Sequence, residues 1–303
     1  MVRQEPAKLP SPSSNLGATS SYPYFMLYLV ATPIGNLADI TLRAIDTLKR
    51  CDYILCEDTR HSHFLLNHYG IRTPLKSLHK FNEAMRKESV LNDLKKGLHI
   101  ALISDAGMPA ICDPGSRIVS ACRDKELEVT IIPGPCAFIS ALALSGWEID
   151  RFQFVGFLPK SQGKLEKQLK ALLSYDGTSI AYETPKRLLK TLSALVSLQP
   201  NIQVAIAREL TKIHEELKVG TPEQLFTYYS NYPPRGEIVL LLERRDEAPA
   251  PMNEQELIER IKKILRNKEI SLSQAIRLVA QENGLSRKKL YEIAHLALGT
   301  NDC

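Results

Sequence analysis

The chain has 303 residues, an apolar fraction of 44%, a charged fraction of 24% and a formal net charge of +5. This is the balance of a globular protein of about two domains at roughly 150 residues each, and the mild positive charge permits a nucleic-acid partner without requiring one. No run approaches the ~18 consecutive apolar residues of a membrane span, the N-terminus lacks the apolar core of a signal peptide, and the cysteines at 51, 56, 112, 122, 136 and 303 form no C-x-x-C pair or zinc-spaced cluster. The expectation is a cytoplasmic protein with reduced thiols, no membrane partner and no metal.

Residues 1–25 are rich in Pro, Ser and Asn without apolar periodicity, which predicts a disordered leader. From 26 to 146 strand and helix patterns alternate. Short apolar runs at 27–31, 53–56, 75–78, 100–103 and 129–132 read as strands. Between them, Asp39 can cap a helix with the stripe Leu42, Ile45 and Leu48, a short helix stops near Gly70, and helices follow over 83–96 and 116–125. Strands alternating with helices predict a mostly parallel, twisted sheet.

A second α/β region is expected over 147–247, with strands at 152–155, 179–182, 203–207 and 238–243 and helices near 164–173, 186–196 and 222–229. The last strand, Ile238-Val239-Leu240-Leu241-Leu242, is wholly apolar and so central. Ala248-Pro249-Ala250-Pro251 reads as a stiff linker. The tail, 252–303, lacks strand signals. Three helical stripes run through it: Leu257, Ile258, Ile261, Ile264 and Leu265; Leu272, Ala275, Ile276, Val279 and Ala280; and Leu290, Ile293, Ala294 and Ala297. Gly284 separates the last two and Ser286 can cap the third. The fold class is therefore α/β: two α/β domains with a C-terminal helical, helix-turn-helix-like tail. Arg287, Lys288 and Lys289 open the last helix, where such folds touch nucleic acid. A capping bundle with a solvated charge run is the alternative.

Three Gly/Pro turns end strands of the first region: Thr32-Pro33-Ile34-Gly35-Asn36, Ser104-Asp105-Ala106-Gly107 and Pro133-Gly134-Pro135. Ligands of open α/β sheets sit beyond the strands' carboxyl ends, so the three turns predict one pocket. Asp105 can accept hydrogen bonds from ligand hydroxyls or amines, beside a glycine that lets backbone approach closely. Glu57-Asp58-Thr59-Arg60 also follows a strand. Either its acids face the ligand, or Asp58 caps the next helix and Arg60 pairs with Glu57. Tyr182-Glu183-Thr184-Pro185-Lys186-Arg187 and Arg208-Glu209-Leu210-Thr211-Lys212 end strands of the second region, which predicts a cleft between two domains. Neither G-x-G-x-x-G nor G-x-x-x-x-G-K-[ST] follows a strand, so a dinucleotide or P-loop site is not expected.

Eight ordered motifs add a resemblance: Thr-Pro-Ile-Gly-Asn-Leu (32–37), Glu-Asp-Thr-Arg (57–60), Ser-Asp-Ala-Gly-x-Pro (104–109), Asp-Pro-Gly (113–115), Pro-Gly-Pro (133–135), Gly-Phe-Leu-Pro (156–159), Arg-Glu-Leu-Thr-Lys (208–212) and Arg-Gly-Glu (235–237). Together they closely resemble the 16S ribosomal RNA (cytidine-2′-O)-methyltransferases of the tetrapyrrole-methylase superfamily, from about Leu27 to the end of the chain. The resemblance implies S-adenosylmethionine in the interdomain cleft, a homodimer, and as substrate a cytidine in the decoding region of 16S rRNA within the 30S subunit. It implies cofactor contacts at Pro33, Ile34, Asp105, Met108, Cys136, Ala137, Tyr182, Glu183 and Leu210. In tetrapyrrole methylases the loop at 104–107 is Gly-Asp-Pro, whereas this chain has Ser-Asp-Ala-Gly.

For methyl transfer to a hydroxyl, Glu57 and Asp58 are the candidate bases, with Arg60 and Lys212 orienting phosphate or ribose. Arg287, Lys288 and Lys289 are candidate RNA contacts. The alternatives are a tetrapyrrole-precursor methyltransferase and a non-enzymatic helix-turn-helix nucleic-acid-binding protein. The Glu-Asp-Thr-Arg and Arg-Glu-Leu-Thr-Lys motifs argue against the first, and two α/β domains with clustered strand-end residues against the second.

Overall fold

A computed structural model describes residues 26–147, 150–243, 254–267, 271–282 and 286–298. The expected leader, the proline linker and Gly284 lie outside the described residues. The described residues up to Glu243 form one compact unit, and the tail helices form a second.

The first sheet consists of β1 (Met26–Val30), β2 (Tyr53–Cys56), β3 (Leu75–Ser77), β4 (Ile100–Leu102) and β5 (Glu128–Ile132). Its order is β3-β2-β4-β1-β5 and every pairing is parallel. Helices α1 (Leu42–Arg50), α2 (Thr59–His68), α3 (Glu83–Lys95) and α4 (Ser116–Asp124) connect the strands. Side chains alternate across the sheet. Tyr28, Val30, Ile54 and Ala101 pack with Ala44 and Leu48 of α1, while Leu27, Leu55, Ile100 and Leu102 pack with Leu91 and Leu94 of α3 and Ile118 of α4. Apolar runs without alternation, as in Ile100 to Leu102, follow from this double coverage.

A fifth helix, α5 (Ala137–Ser145), was not expected from the sequence. Its residues are apolar on all sides, so it has no stripe to betray it. Ala141 and Leu142 pack on the second sheet, against Ile180, Ala205, Ala207 and Leu241, and so join the two halves.

The second sheet contains β6 (Phe152–Phe157), β7 (Thr178–Glu183), β8 (Val204–Arg208), β9 (Glu216–Gly220) and β10 (Ile238–Leu242), with α6 (Gln162–Leu173), α7 (Pro185–Leu198) and α8 (Pro222–Asn231). Its order is β6-β7-β10-β8-β9. Only β6 and β7 run parallel; β10 is antiparallel to both neighbours, and β9 to β8. The apolar β10 is central and buried throughout, as its composition predicts. β9 was missed because it is an edge strand with Glu216 and Lys218 in place of an apolar run.

In the tail, α9 (Glu254–Asn267), α10 (Leu272–Glu282) and α11 (Arg287–Leu298) close around Leu257, Ile261, Ile276, Val279, Leu290 and Ala294. Ser271 and Gln274 form a reciprocal cap at the start of α10: each backbone N–H donates to the other's side chain, at 3.0 and 3.3 Å. Among the described residues no helix is long and apolar enough to cross a membrane.

Candidate active site

The turns after β1 and β4 are stitched together. Thr32 is buried, its N–H donates to the Gly107 carbonyl at 2.9 Å, and the Gly107 N–H donates back at 3.0 Å. The Thr32 hydroxyl donates to the Ser104 carbonyl at 3.0 Å, and the Ser104 hydroxyl to the Gly107 carbonyl at 3.0 Å. Gly107 has φ +78°, a backbone that side chains rarely adopt. The third turn leads into α5 at Cys136, whose thiol burial pushes up, against the opposing N–H groups of Ile139 and Phe138.

The turn after β1 also docks on the loop after β8. The Asn36 N–H donates to Thr211 Oγ1 at 3.0 Å. A Cβ on Gly35 would lie 2.5 Å from Lys212 Cγ and 2.8 Å from the Leu210 carbonyl, so the contact excludes any side chain there. The β8 loop holds two non-glycine residues at positive φ, Glu209 at +51° and Thr211 at +65°. Hydrogen bonds fix it: Lys212 Nζ donates to Glu209 Oε1 at 2.9 Å and to Glu237 Oε2 at 3.1 Å, and the Glu237 N–H donates to Glu209 Oε1 at 3.0 Å. Burial works against the Glu209 charge, yet Lys212 and the Glu237 N–H hold its carboxyl below the ordinary value.

Between the halves lies a cavity of about 430 Å³, within the ~300–1,000 Å³ of small-molecule sites. Ile34, Asp105, Met108, Cys136 and Ala137 line it from the first half, and Tyr182, Glu183 and Leu210 from the second. Pro33 does not line it. Glu57 does, with Asp113 of the Asp-Pro-Gly turn. Burial is the main cause that pushes the Asp113 carboxyl up to about 6; the charges of Glu57 and Asp105 add to it and Lys80 opposes it. Aromatic rings wall the other side. Phe138 stacks on Phe154 at 4.1 Å, and Tyr182 meets Phe154 at 4.9 Å and Phe157 at 5.4 Å. Burial keeps the Tyr182 phenol protonated.

Several charges are otherwise engaged. Asp58 caps α2 by accepting from the Arg60 N–H at 2.9 Å, and the Arg60 guanidinium donates to the same carboxylate at 2.8 and 3.1 Å. These contacts hold the Asp58 carboxyl well below its usual value. Arg60 thus pairs with Asp58 rather than Glu57, and neither Asp58 nor Arg60 lines the cavity. Lys212 does not line it either; it pairs with Glu237, which does. The Glu183 carboxylate is satisfied internally, by Arg187 at 2.6 Å, the Thr191 hydroxyl at 2.8 Å and the Thr184 N–H at 2.7 Å. Arg287 and Lys288 are exposed at the start of α11, in the tail unit, and Lys289 follows them in that helix.

Asp113, Phe138 and Glu237 went unassigned in the sequence. Asp113 stood in a motif read as a turn. Glu237 precedes its strand, where a rule about carboxyl ends does not look. Because β10 is antiparallel to its neighbours, Ile238 pairs with Glu183 and Arg208, which brings Glu237 to the ligand end of the sheet.

A family profile described as Tetrapyrrole (Corrin/Porphyrin) Methylases matches residues 26–225. Ribosomal RNA small subunit methyltransferase I of Synechocystis sp. is 42% identical over 89% of this chain and 97% of its own length. The protein of that name from Haemophilus influenzae is 41% identical over the same shares. The chain belongs to the ribosomal RNA small subunit methyltransferase I family. Another member, from Erythrobacter litoralis, is 46% identical over 88% of this chain and 94% of its own length. Membership of this methyltransferase family makes the chain an enzyme. Solved structures of a cobalt precorrin-4 methyltransferase (TM-score 0.54, 15% identity, 72% of this chain and 94% of that one) and a diphthine synthase (TM-score 0.57, 14% identity, 72% and 89%) share the fold of this family member.

Proposed function

We propose that the protein uses S-adenosylmethionine to methylate the ribose 2′-oxygen of a cytidine in the decoding region of 16S rRNA, within the 30S subunit. It works in the cytoplasm as a homodimer, with α/β domains over 26–146 and 147–247 and a helical RNA-binding tail over 252–303. The observation that carries this reading is the cavity between the two sheets, open carboxylates on one wall and aromatic rings on the other, in a chain of this family.

The cavity suits the cofactor. Its acids complement a sulfonium and an amine, its rings can cover a purine, and Gly107 leaves backbone accessible. Ile34, Asp105, Met108, Cys136, Ala137, Tyr182 and Leu210 would hold it, with Glu183 contributing backbone and Pro33 shaping the first turn from behind. When bound, S-adenosylmethionine supplies an electrophilic methyl group.

The protein's own residues orient the nucleotide and manage its proton. Fixing reactants in one geometry is worth ~7–11 kcal/mol, and the Thr32–Gly107 and Asn36–Thr211 hydrogen bonds make the walls rigid enough for that. Asp113, with its carboxyl near 6, is mostly ionised at neutral pH and still basic enough to take the 2′-hydroxyl proton. Glu57 shares that wall and is the second candidate base. Lys212 positions Glu237, and Arg60 and Asp58 order the start of α2 beside Glu57. Arg287, Lys288 and Lys289 grip phosphate, and exposed Ile131, Ile139 and Leu144 offer apolar surface to the second subunit.

Labelled S-adenosylmethionine offered with 30S subunits, naked 16S RNA and a tetrapyrrole tests the reading. Label is expected on a cytidine ribose of 30S RNA. Label on the tetrapyrrole, or on no acceptor, would contradict it.

A further inference from the structure

The loop between β3 and α3 is bonded to two segments that carry cavity-lining residues, and it presents an aromatic ring to solvent. Phe81 is 96% exposed and Met85, one turn further on, 77%. Among the described residues the one ring Phe81 meets is that of His79, edge-on at 6.1 Å, and nearly all of the Phe81 surface stays in water, where an apolar ring gains nothing for the fold. The loop is nevertheless firmly built. Asn82 Oδ1 accepts from the His79 N–H at 2.8 Å, its Nδ2 donates to the Ser77 carbonyl at 3.3 Å, and its N–H donates to the His79 carbonyl at 3.0 Å.

Two contacts tie this loop to the cavity. On one side the Leu78 N–H donates to the Cys56 carbonyl at 2.7 Å, next to Glu57. On the other, buried Glu83, where the loop enters α3, accepts from the N–H groups of Gly115 at 2.9 Å and Arg117 at 3.1 Å, two and four residues after Asp113. The loop therefore sits between two cavity-lining carboxylates. Lys80 is exposed, and close enough for its charge to act on Asp113 and Cys112.

An exposed ring beside a cation, held rigidly at the mouth of a site, is how single-stranded RNA is gripped: bases stack on the ring and the cation takes phosphate. We propose that this loop is the RNA-side rim of the site, with Phe81 stacking on a base next to the target nucleotide and Lys80 binding the adjoining phosphate. The proposal rests on the rRNA reading above.

Steady-state methylation of 30S subunits, cofactor titration and sedimentation test it together. Phe81→Ala should raise KM for 30S subunits about tenfold, with cofactor Kd and oligomeric state unchanged. Phe81→Trp should restore KM. Lys80→Gln should lower the salt slope of RNA affinity by about one. An unchanged KM in Phe81→Ala would overturn the proposal. So would a loss of self-association in that variant, which would make Phe81 a contact between copies of this chain. If the wild-type protein methylates no RNA, the broader reading fails and the rim with it; an active wild type beside an unaltered Phe81→Ala removes the rim alone.

Discussion

The cavity wall built from the first sheet carries Glu57, Asp105 and Asp113, whereas the wall from the second carries Glu183 and Glu237, each paired with a cation. At Asp113 burial works against the charge of the carboxylate, and the like charges of Glu57 and Asp105 add to that. In the second wall Arg187 and Lys212 neutralise the charge. The contrast follows the two sheets. In a parallel sheet, successive strand ends deliver side chains to one crevice; here Asp105 accepts from the Asp58 N–H at 3.3 Å rather than from a cation. In the mixed sheet, the antiparallel β10 brings its amino end beside the carboxyl ends of β7 and β8, and charges of both kinds meet there. The first wall is suited to chemistry and the second to shape.

Removing one partner from a pair in the second wall should have a large effect on folding. Arg187→Met leaves the buried Glu183 carboxylate without its cation, and should lower stability by ~3–5 kcal/mol in urea denaturation. A loss below ~1 kcal/mol, the value of an exposed pair, would mean the two walls do not differ in this way. Gly35→Ala comes next. It pushes the β1 turn away from the Leu210 carbonyl, an overpacking cost of ~1–3 kcal/mol, which should appear as weaker cofactor binding by calorimetry. Unchanged affinity would show that the walls need not touch.

In the first wall the sign reverses. Asp113 has a folded-state pKa raised to about 6 from its ordinary 3.8. Its contribution to stability is greatest below the unfolded value and is lost as pH rises through about 6. Asp113→Asn should therefore raise Tm at pH 7 and have little effect at pH 4, measured by calorimetry. A lower Tm at pH 7 would make Asp113 a structural residue. Asp58→Asn should have the smallest effect: cofactor affinity unchanged and Tm slightly lowered by a weaker α2 cap. A fall in turnover as large as that of an Asp113 variant would return Asp58 to the catalytic group.

Much of this was legible in the sequence for a physical reason. Strands covered on both faces must be apolar runs, and three of the turns that end them carry Gly, Pro or both, so the strands of the first sheet and those turns stood out. Most residues of the tail's three stripes at helical spacing form its core, from Leu257 and Ile261 through to Leu290 and Ala294, while Ile258 and Ile293 stay outside that core. Four features escaped. Helix α5 lacks periodicity because it is apolar all round, and β9 lacks an apolar run because it is an edge. The partner of Arg60 could not be read from spacing, since Glu57 and Asp58 are both near in sequence. The cap of α2 decides it, by turning Asp58 toward Arg60 and leaving Glu57 on the cavity. Asp113 needed three dimensions, because its environment comes first from burial and then from the charges of residues 57 and 105, on other loops.

The most direct measurement is the pH dependence of methyl transfer to 30S subunits under single-turnover conditions, for the wild type and for Asp113→Asn. If Asp113 takes the proton, the wild-type rate climbs as pH rises through about 6, and the variant is slower by ~10²–10⁴-fold with that rise removed. A variant that keeps the wild-type rate and profile would contradict the division of the cavity into a chemical wall and a shaping one.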